Sequence, residues 1–247
     1  MLEASKKHKP ADGRRGGLLL VEAFHYRFHP LAQRMKEIVS GGLIGSVKRV
    51  DTEFQIPNVI PTNDIRYSVK GTKPELAGGA LMDAGCYAVN CQRYLTGANP
   101  EKVIKAECRE AFAAVDKYTK AEVAYEGGLT GSVISSFSAI LPRMQAQVEG
   151  TLGSMSVVNF LCPFIYHRID IKDQAGKVIK SEKHYGDGST TYEYQLAAFV
   201  GAVRMDPEAV RQVELAGSAE EGVKNMRLID QIYRKAGLPL RQGPLLK

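Results

Sequence analysis

From Ile104 to His184 the chain is written largely with a period of two, and that stretch limits what it can fold into. Ile104, Ala106 and Cys108 alternate with Lys105, Glu107 and Arg109, and Ala121, Val123 and Tyr125 alternate with Lys120, Glu122 and Glu126. Side chains two apart on a strand share a face, so each segment predicts a strand with one buried and one wet side. Gly127-Gly128 reads as a two-residue turn into a strand over 129–137. Further strands are expected around 146–149, 155–160, 164–171 and 178–184, with glycine-containing turns between them.

The flanks carry helical and mixed signals. Residues 18–23 are a short apolar run of the kind that makes a buried strand. His29-Pro30 opens a helix with Pro at its favoured first position, Leu31, Met35 and Ile38 share its inner face, and Ser40-Gly41-Gly42 closes it. Val50, Thr52, Phe54 and Ile56 alternate with charged and polar neighbours, which predicts another strand. Residues 57–78 are too polar and too rich in Pro and Gly for a regular element, and loops of that length often carry function. A helix over 80–95 follows, ended by Thr96-Gly97. Two more are expected at the end, over 192–204 and from the capping box Ser218-x-x-Glu221 to Gly237 and Pro239. The sum is an α+β fold: an open, mostly antiparallel β-sheet with helices packed on one face. Its half-polar outer face is left for water or another subunit.

Composition removes several function classes. The 247 residues are 44% hydrophobic and 24% charged, enough for a sizeable core. Half of the net charge of +6 sits in residues 1–17, and no folded cluster of Lys and Arg interleaved with aromatics appears, so nucleic-acid binding is not expected. No run approaches the ~20 apolar residues of a membrane span, and no signal peptide opens the chain, so a cytoplasmic protein is expected. Cys86, Cys91, Cys108 and Cys162 form no C-x-x-C pair and read as reduced thiols. Tyr26 and Pro30 spoil His25 and His29 as a zinc pair, so no metal site is expected.

The chemistry concentrates in Gly78-Gly79-Ala80-Leu81-Met82-Asp83-Ala84-Gly85-Cys86-Tyr87. Asp83 and Tyr87 are four apart on one helical face, and a Tyr beside a carboxylate and a cation can move a proton if its neighbours tune it. The same spacing fits a Tyr packed in the core with an Asp bonded locally. Glu22-Ala-Phe-His-Tyr-Arg-Phe-His-Pro resembles a ligand wall, and Arg66 of Asp64-Ile-Arg-Tyr is a candidate for binding hydroxyls or a carboxylate.

Those segments, with Gly41-Gly-Leu-Ile-Gly-Ser-Val and the Ile229-Asp230…Ala236-Gly237-Leu-Pro ending, resemble the glucose–fructose oxidoreductase/inositol dehydrogenase (Gfo/Idh/MocA) family over roughly residues 18–240. Within it the resemblance is to the NADP-dependent D-xylose dehydrogenase and dihydrodiol dehydrogenase branch. It implies a C-terminal, substrate-binding domain whose sheet often mediates homodimers, and a nicotinamide cofactor, NADP, acting on a sugar or diol. It also implies that Tyr87 serves in proton transfer and Asp83 in the substrate site, with Arg66 and His29 on the sugar wall and Arg27 on the nicotinamide side. The family's glycine-fingerprint nucleotide domain and Glu-Lys-Pro motif have no counterpart here, and Lys9 is not taken for the family's catalytic Lys. The expectation is therefore a leader over 1–17, disordered or partly helical and a remnant of the nucleotide-binding domain. It is followed by one substrate-binding and dimerisation domain over 18–247, with little activity alone. A non-catalytic assembly module and an incomplete gene product stand as alternatives.

Overall fold

The computed structural model describes residues 1–7, 18–61, 63–67 and 78–241. Eight strands form one sheet: β1 (Val47–Pro57), β2 (Pro100–Phe112), β3 (Val115–Tyr125), β4 (Thr130–Ala139), β5 (Arg143–Gly150), β6 (Gly153–Val158), β7 (Arg168–Asp173) and β8 (Val178–Glu182). Their order is β2-β3-β4-β1-β5-β6-β7-β8. Every neighbouring pair is antiparallel except β1 and β4, which run parallel. The helices are α1 (Leu2–Lys7), α2 (Pro30–Ser40), α3 (Cys86–Thr96), α4 (Thr191–Val203), α5 (Pro207–Gly217) and α6 (Ala219–Lys235). No helix among the described residues is long and apolar enough to cross a membrane.

The period-two pattern does what it predicts. Val50 of β1, Ala146 and Val148 of β5, Met155 and Val157 of β6, and Ile169 and Ile171 of β7 form one core with Leu31, Met35 and Ile38 of α2. A second core joins Ala121 and Val123 of β3 to Val89 of α3 and to Leu228, Ile229 and Ile232 of α6. The opposite face is polar: Arg49 bridges Asp51 at 2.8 Å and Glu122 at 3.1 Å.

α3 is fastened to the sheet at its middle. Between the pairs Arg49↔Thr130 and Thr52↔Val133, side chains engage backbone groups of the β1/β4 ladder. Gln92 donates from Nε2 to the carbonyls of Val50 (2.6 Å) and Ser132 (3.0 Å), and the Asp51 carboxylate accepts the Ser132 N–H at 2.7 Å. Gly131 leaves the room, because a Cβ there would strike the Val50 carbonyl and the Gln92 amide.

Four expectations are corrected. Residues 18–23 form no strand; Val21 makes a single bridge with Ser218, while Leu19 and Val21 pack against the cluster of α4 and α5. An apolar run makes a ladder only where another strand lies beside it. Three helices close the chain, not two: α5 starts at Pro207, with the Asp206 carboxylate accepting the Ala209 N–H at 2.9 Å. The reciprocal capping box is at Thr190 and Glu193; Ser218 caps α6, but Glu221 turns to Arg93 at 2.7 Å and Lys224 at 2.9 Å. The strand expected from 164 begins at Arg168, after a turn. Of residues 1–17, the first seven hold α1 and the remainder lies outside the described residues.

Candidate active site

The site helix enters on two glycines against a buried carboxylate. Gly79 has φ +125°, and a Cβ there would collide with the Asp116 carboxylate. Asp116 of β3 accepts the Leu81 N–H and the Thr119 hydroxyl, each at 2.8 Å, and the Tyr233 hydroxyl and Arg241 Nη2, each at 3.2 Å. Arg241 also donates to the Gly78 carbonyl at 3.0 Å and lies over the Tyr233 ring, 4.4 Å from its centroid. One carboxylate therefore ties the first turn of the helix to β3, α6 and the segment after it.

That first turn, Leu81–Gly85, is π-helical and continues into α3. Its inner side is small or apolar: a Cβ on Gly85 would come within 2.9 Å of Ser135 of β4, so the turn lies tightly on the sheet. Its outer side carries Asp83, which is exposed. Arg66 Nε lies 3.4 Å from Asp83 Oδ2, while Arg66 Nη1 reaches Asp64 at 3.2 Å. The Gly79 N–H donates to the Arg66 carbonyl at 2.9 Å, so the long loop and the helix entrance hold each other. Partial burial raises the Asp83 carboxyl above its ordinary pKa, Arg66 opposes the rise, and Asp64 adds to it.

Tyr87 stands one turn further on, half-buried in an aromatic wall. Its ring centroid is 5.4 Å from Phe24, 5.6 Å from His25 and 6.0 Å from Phe54. It lines a cleft of about 260 Å³ with Glu22, Phe24, Met82, Cys86 and Asn225. Among the described residues none hydrogen-bonds its hydroxyl. Burial, then Cys86, Tyr192 and Asp83, push the phenol well above its usual pKa, so it is protonated at neutral pH. Cys86 is likewise pushed up to about 12 by burial, which makes it a poor nucleophile. His25 bonds the Thr191 hydroxyl at 2.7 Å through Nδ1 and stacks on Tyr192 at 4.1 Å; burial lowers it to about 4, so it is neutral.

The structure thus brings together Asp83, Arg66 and, one turn along, Tyr87. It does not bring His29 or Arg27 to them. His29 is fully buried as the N-cap of α2, Nδ1 accepting the Leu31 N–H at 3.1 Å, with Tyr194 5.2 Å away. Arg27 belongs to the 3₁₀ turn His25–Phe28 and leaves it toward Tyr94, donating to the Leu215 carbonyl at 2.6 Å. The turn offers His25 to Tyr87 and Arg27 to a place two helical turns away. Asp116 and Arg241 escaped the sequence reading because an acid in a hairpin and a base near the C-terminus look like ordinary solvated charges.

The described residues do not fit a dinucleotide cradle. The only G-x-G, Gly186-Asp187-Gly188, is closed: Tyr194 donates to the Asp187 carboxylate, and a Cβ on Gly186 would strike Tyr194 and Pro30. An acidic, filled loop repels a diphosphate. Among the described residues no group of three or more His, Cys, Asp or Glu could hold a metal ion.

The profile of the GFO/IDH/MocA C-terminal domain matches residues 32–156. A D-xylose 1-dehydrogenase (NADP(+)) from Haloferax volcanii is 32% identical over 226 residues, covering 89% of this chain and 63% of that protein. The trans-1,2-dihydrobenzene-1,2-diol dehydrogenase of Mus musculus is 30% identical over 160 residues, covering 65% and 46%. The chain therefore spans less than two thirds of the length of these relatives. Among solved structures, the aldose-aldose oxidoreductase of Caulobacter crescentus in complex with glycerol superposes with a TM-score of 0.74 at 22% identity, covering 92% of this chain and 64% of that one. A 3-ketoreductase from Actinomadura kijaniata, with NADP and TDP-benzene, gives 0.67 at 22% identity, covering 91% and 65%. On the matched profile and the shared α+β architecture, this chain belongs to the GFO/IDH/MocA family of oxidoreductases.

Proposed function

We propose that this chain is the substrate-holding part of a nicotinamide-dependent sugar or diol dehydrogenase. The observation that carries this reading is the row Arg66–Asp83–Tyr87, with its ion pair on the open side and an uncommitted phenol at the aromatic cleft. Asp83 accepts hydrogen bonds from substrate hydroxyls, Arg66 holds Asp83 in place, and the stacked aromatics cover the apolar face of a pyranose or a cyclic diol. A nicotinamide held outside the described residues would supply the hydride chemistry at the substrate carbon. NADP is our reading of that nicotinamide, supported by the relative named for it. Tyr87, protonated at neutral pH, gives its proton to the substrate carbonyl oxygen during reduction and regains one from water afterwards. In oxidation it must first be phenolate, so that direction speeds up as pH rises toward the elevated phenol pKa.

The dinucleotide lies on residues beyond those described, and the reading of 1–17 as the remnant of a nucleotide domain belongs to the same proposal. So does a homodimer across the polar sheet face, where Arg49, Asp51 and Glu122 pair with one another. Four free cysteines fit a reducing compartment, the cytoplasm. Calorimetric titration of the chain with D-xylose and with a trans-1,2-diol tests the site. Binding of one of them, weakened about tenfold by Asp83→Asn as expected for a lost charged hydrogen bond, supports it. Absence of binding by both, or indifference to Asp83→Asn, overturns it. Micromolar NADP binding by the chain alone overturns the placing of the nucleotide elsewhere.

A further inference from the structure

Two cations meet in a part of the molecule that the dehydrogenase reading does not use. Arg27 is 6% exposed. Its Nη2 donates to the Leu215 carbonyl at 2.6 Å, its Cζ lies 4.5 Å from the Tyr94 centroid, and its Nε is buried with no partner. Lys36, half-buried on α2, lies 5.7 Å from the same ring and donates to the carbonyls of Tyr94 (2.8 Å) and Leu95 (3.3 Å). Burial and Arg27 both lower the Lys36 pKa. Two clefts, of about 300 and about 390 Å³, meet at Arg27, Lys36, Tyr94 and Leu215.

Among the described residues neither cation has a carboxylate within 4 Å. The acids that line these clefts are engaged or solvated. Glu37 is 3.2 Å from Arg34, Glu208 is 2.9 Å from Arg211, and Glu221 is shared by Arg93 and Lys224. Glu214 is exposed, where a lone carboxylate contributes little. What the two cations do touch is helix C-termini: Lys36 the end of α3, Arg27 the last turn of α5. Each such end carries about half a negative charge, so together they offset about one of the two positive charges. About one unit stays uncompensated in a partly desolvated place, which is costly unless an anion fills it.

We infer that the Arg27–Lys36–Tyr94 junction between α2, α3 and α5 is a binding site for a small oxyanion, a phosphate or carboxylate group. The Arg27 fork offers it Nη1, which makes no bond to the described residues, and the Lys36 ammonium keeps one proton uncommitted. The Tyr94 ring adjoins both, its centroid 4.5 Å from Arg27 Cζ and 5.7 Å from the Lys36 ammonium. The inference does not depend on the dehydrogenase reading, because no residue is shared with the Asp83–Tyr87 row.

The test is titration of the full chain with inorganic phosphate and, separately, acetate, at constant ionic strength set by chloride, followed by heat and by Tm. Saturable binding of either, with a Tm rise of several degrees well above the dissociation constant, is expected. Lys36→Gln should weaken it at least tenfold. Because Arg27 is buried and bonded to the Leu215 carbonyl, its replacement also costs stability, and Glu214→Gln serves as the second probe: removing a nearby negative charge should tighten binding at least twofold. Phosphate favoured tenfold over acetate identifies a phosphoryl ligand, and the reverse identifies a carboxylate. A response to both anions no larger than to chloride, or one unmoved by both Lys36→Gln and Glu214→Gln, overturns the inference.

Discussion

Tyr87 and Tyr94 sit seven residues apart on the same face of α3, about 10 Å along its axis, yet they meet opposite surroundings. Tyr87 has aromatic neighbours, a carboxylate one turn away, and a hydroxyl with no partner among the described residues. Tyr94 donates its hydroxyl to the Ala32 carbonyl at 3.2 Å and has both Arg27 and Lys36 near its ring. Burial raises both phenols; for Tyr94 the rise reaches about 12 even though Arg27 opposes it. Helical spacing decides which side chains share a face. What faces them across the gap decides their chemistry, and here one short 3₁₀ turn supplies His25 to one Tyr and Arg27 to the other.

The strongest way to break this contrast is to remove each hydroxyl. In an assembly that turns over, Tyr87→Phe should cost roughly 100- to 10,000-fold in kcat, the range of a lost general acid. Tyr94→Phe should stay within about threefold, since one neutral hydrogen bond is lost far from the reacting atoms. Equal losses would remove the distinction. Asp116→Ala leaves Arg241 buried without its acid and should cost about 3–5 kcal/mol in urea unfolding. Amide exchange should then quicken around the π turn before Tyr87 and change little around Tyr94; uniform quickening would mean that Asp116 does not act on one end of the helix. The last test is pH. His25 and His29 are buried and neutral, each lowered to about 4, so the unfolded chain takes up more protons between about pH 6.5 and 4. Stability is full above 6.5 and falls through that window, and Tm should drop on acidification. His25→Gln should flatten part of the fall, while a Tm independent of pH there would mean that His25 is not held neutral.

Most of the sheet was legible because burial of one face imposes a period that survives in sequence. β3 is the clearest case, with Ala121, Val123 and Tyr125 all inward. The helix carrying Asp83 and Tyr87 was legible too, but its π-helical first turn was not, since a wide turn leaves no periodic mark over five residues. α5 was missed although Asp206-Pro207 is a helix-start signal, because it falls close behind α4. The Asp83–Tyr87 spacing pointed to a site. Arg27 went elsewhere because adjacent residues in a 3₁₀ turn point in different directions, and His29 because it caps α2; no sequence pattern records either direction. Asp116 was invisible for another reason: its partners come from residues 81, 119, 233 and 241, brought together only by the fold.

The Gln92 amide has a mechanical corollary. A rod pinned to a plate at several points can neither slide nor rock: Gln92 reaches two adjacent strands at once, the Thr52 hydroxyl of β1 donates to the Ala88 carbonyl at 2.8 Å, and Lys36 of α2 holds the Tyr94 carbonyl at 2.8 Å. Tyr87 and Tyr94 stand at either end of that pinned stretch. A load placed at either end is therefore taken up by the nearest pin, and the two ends of α3 behave as independent places on one stiff support.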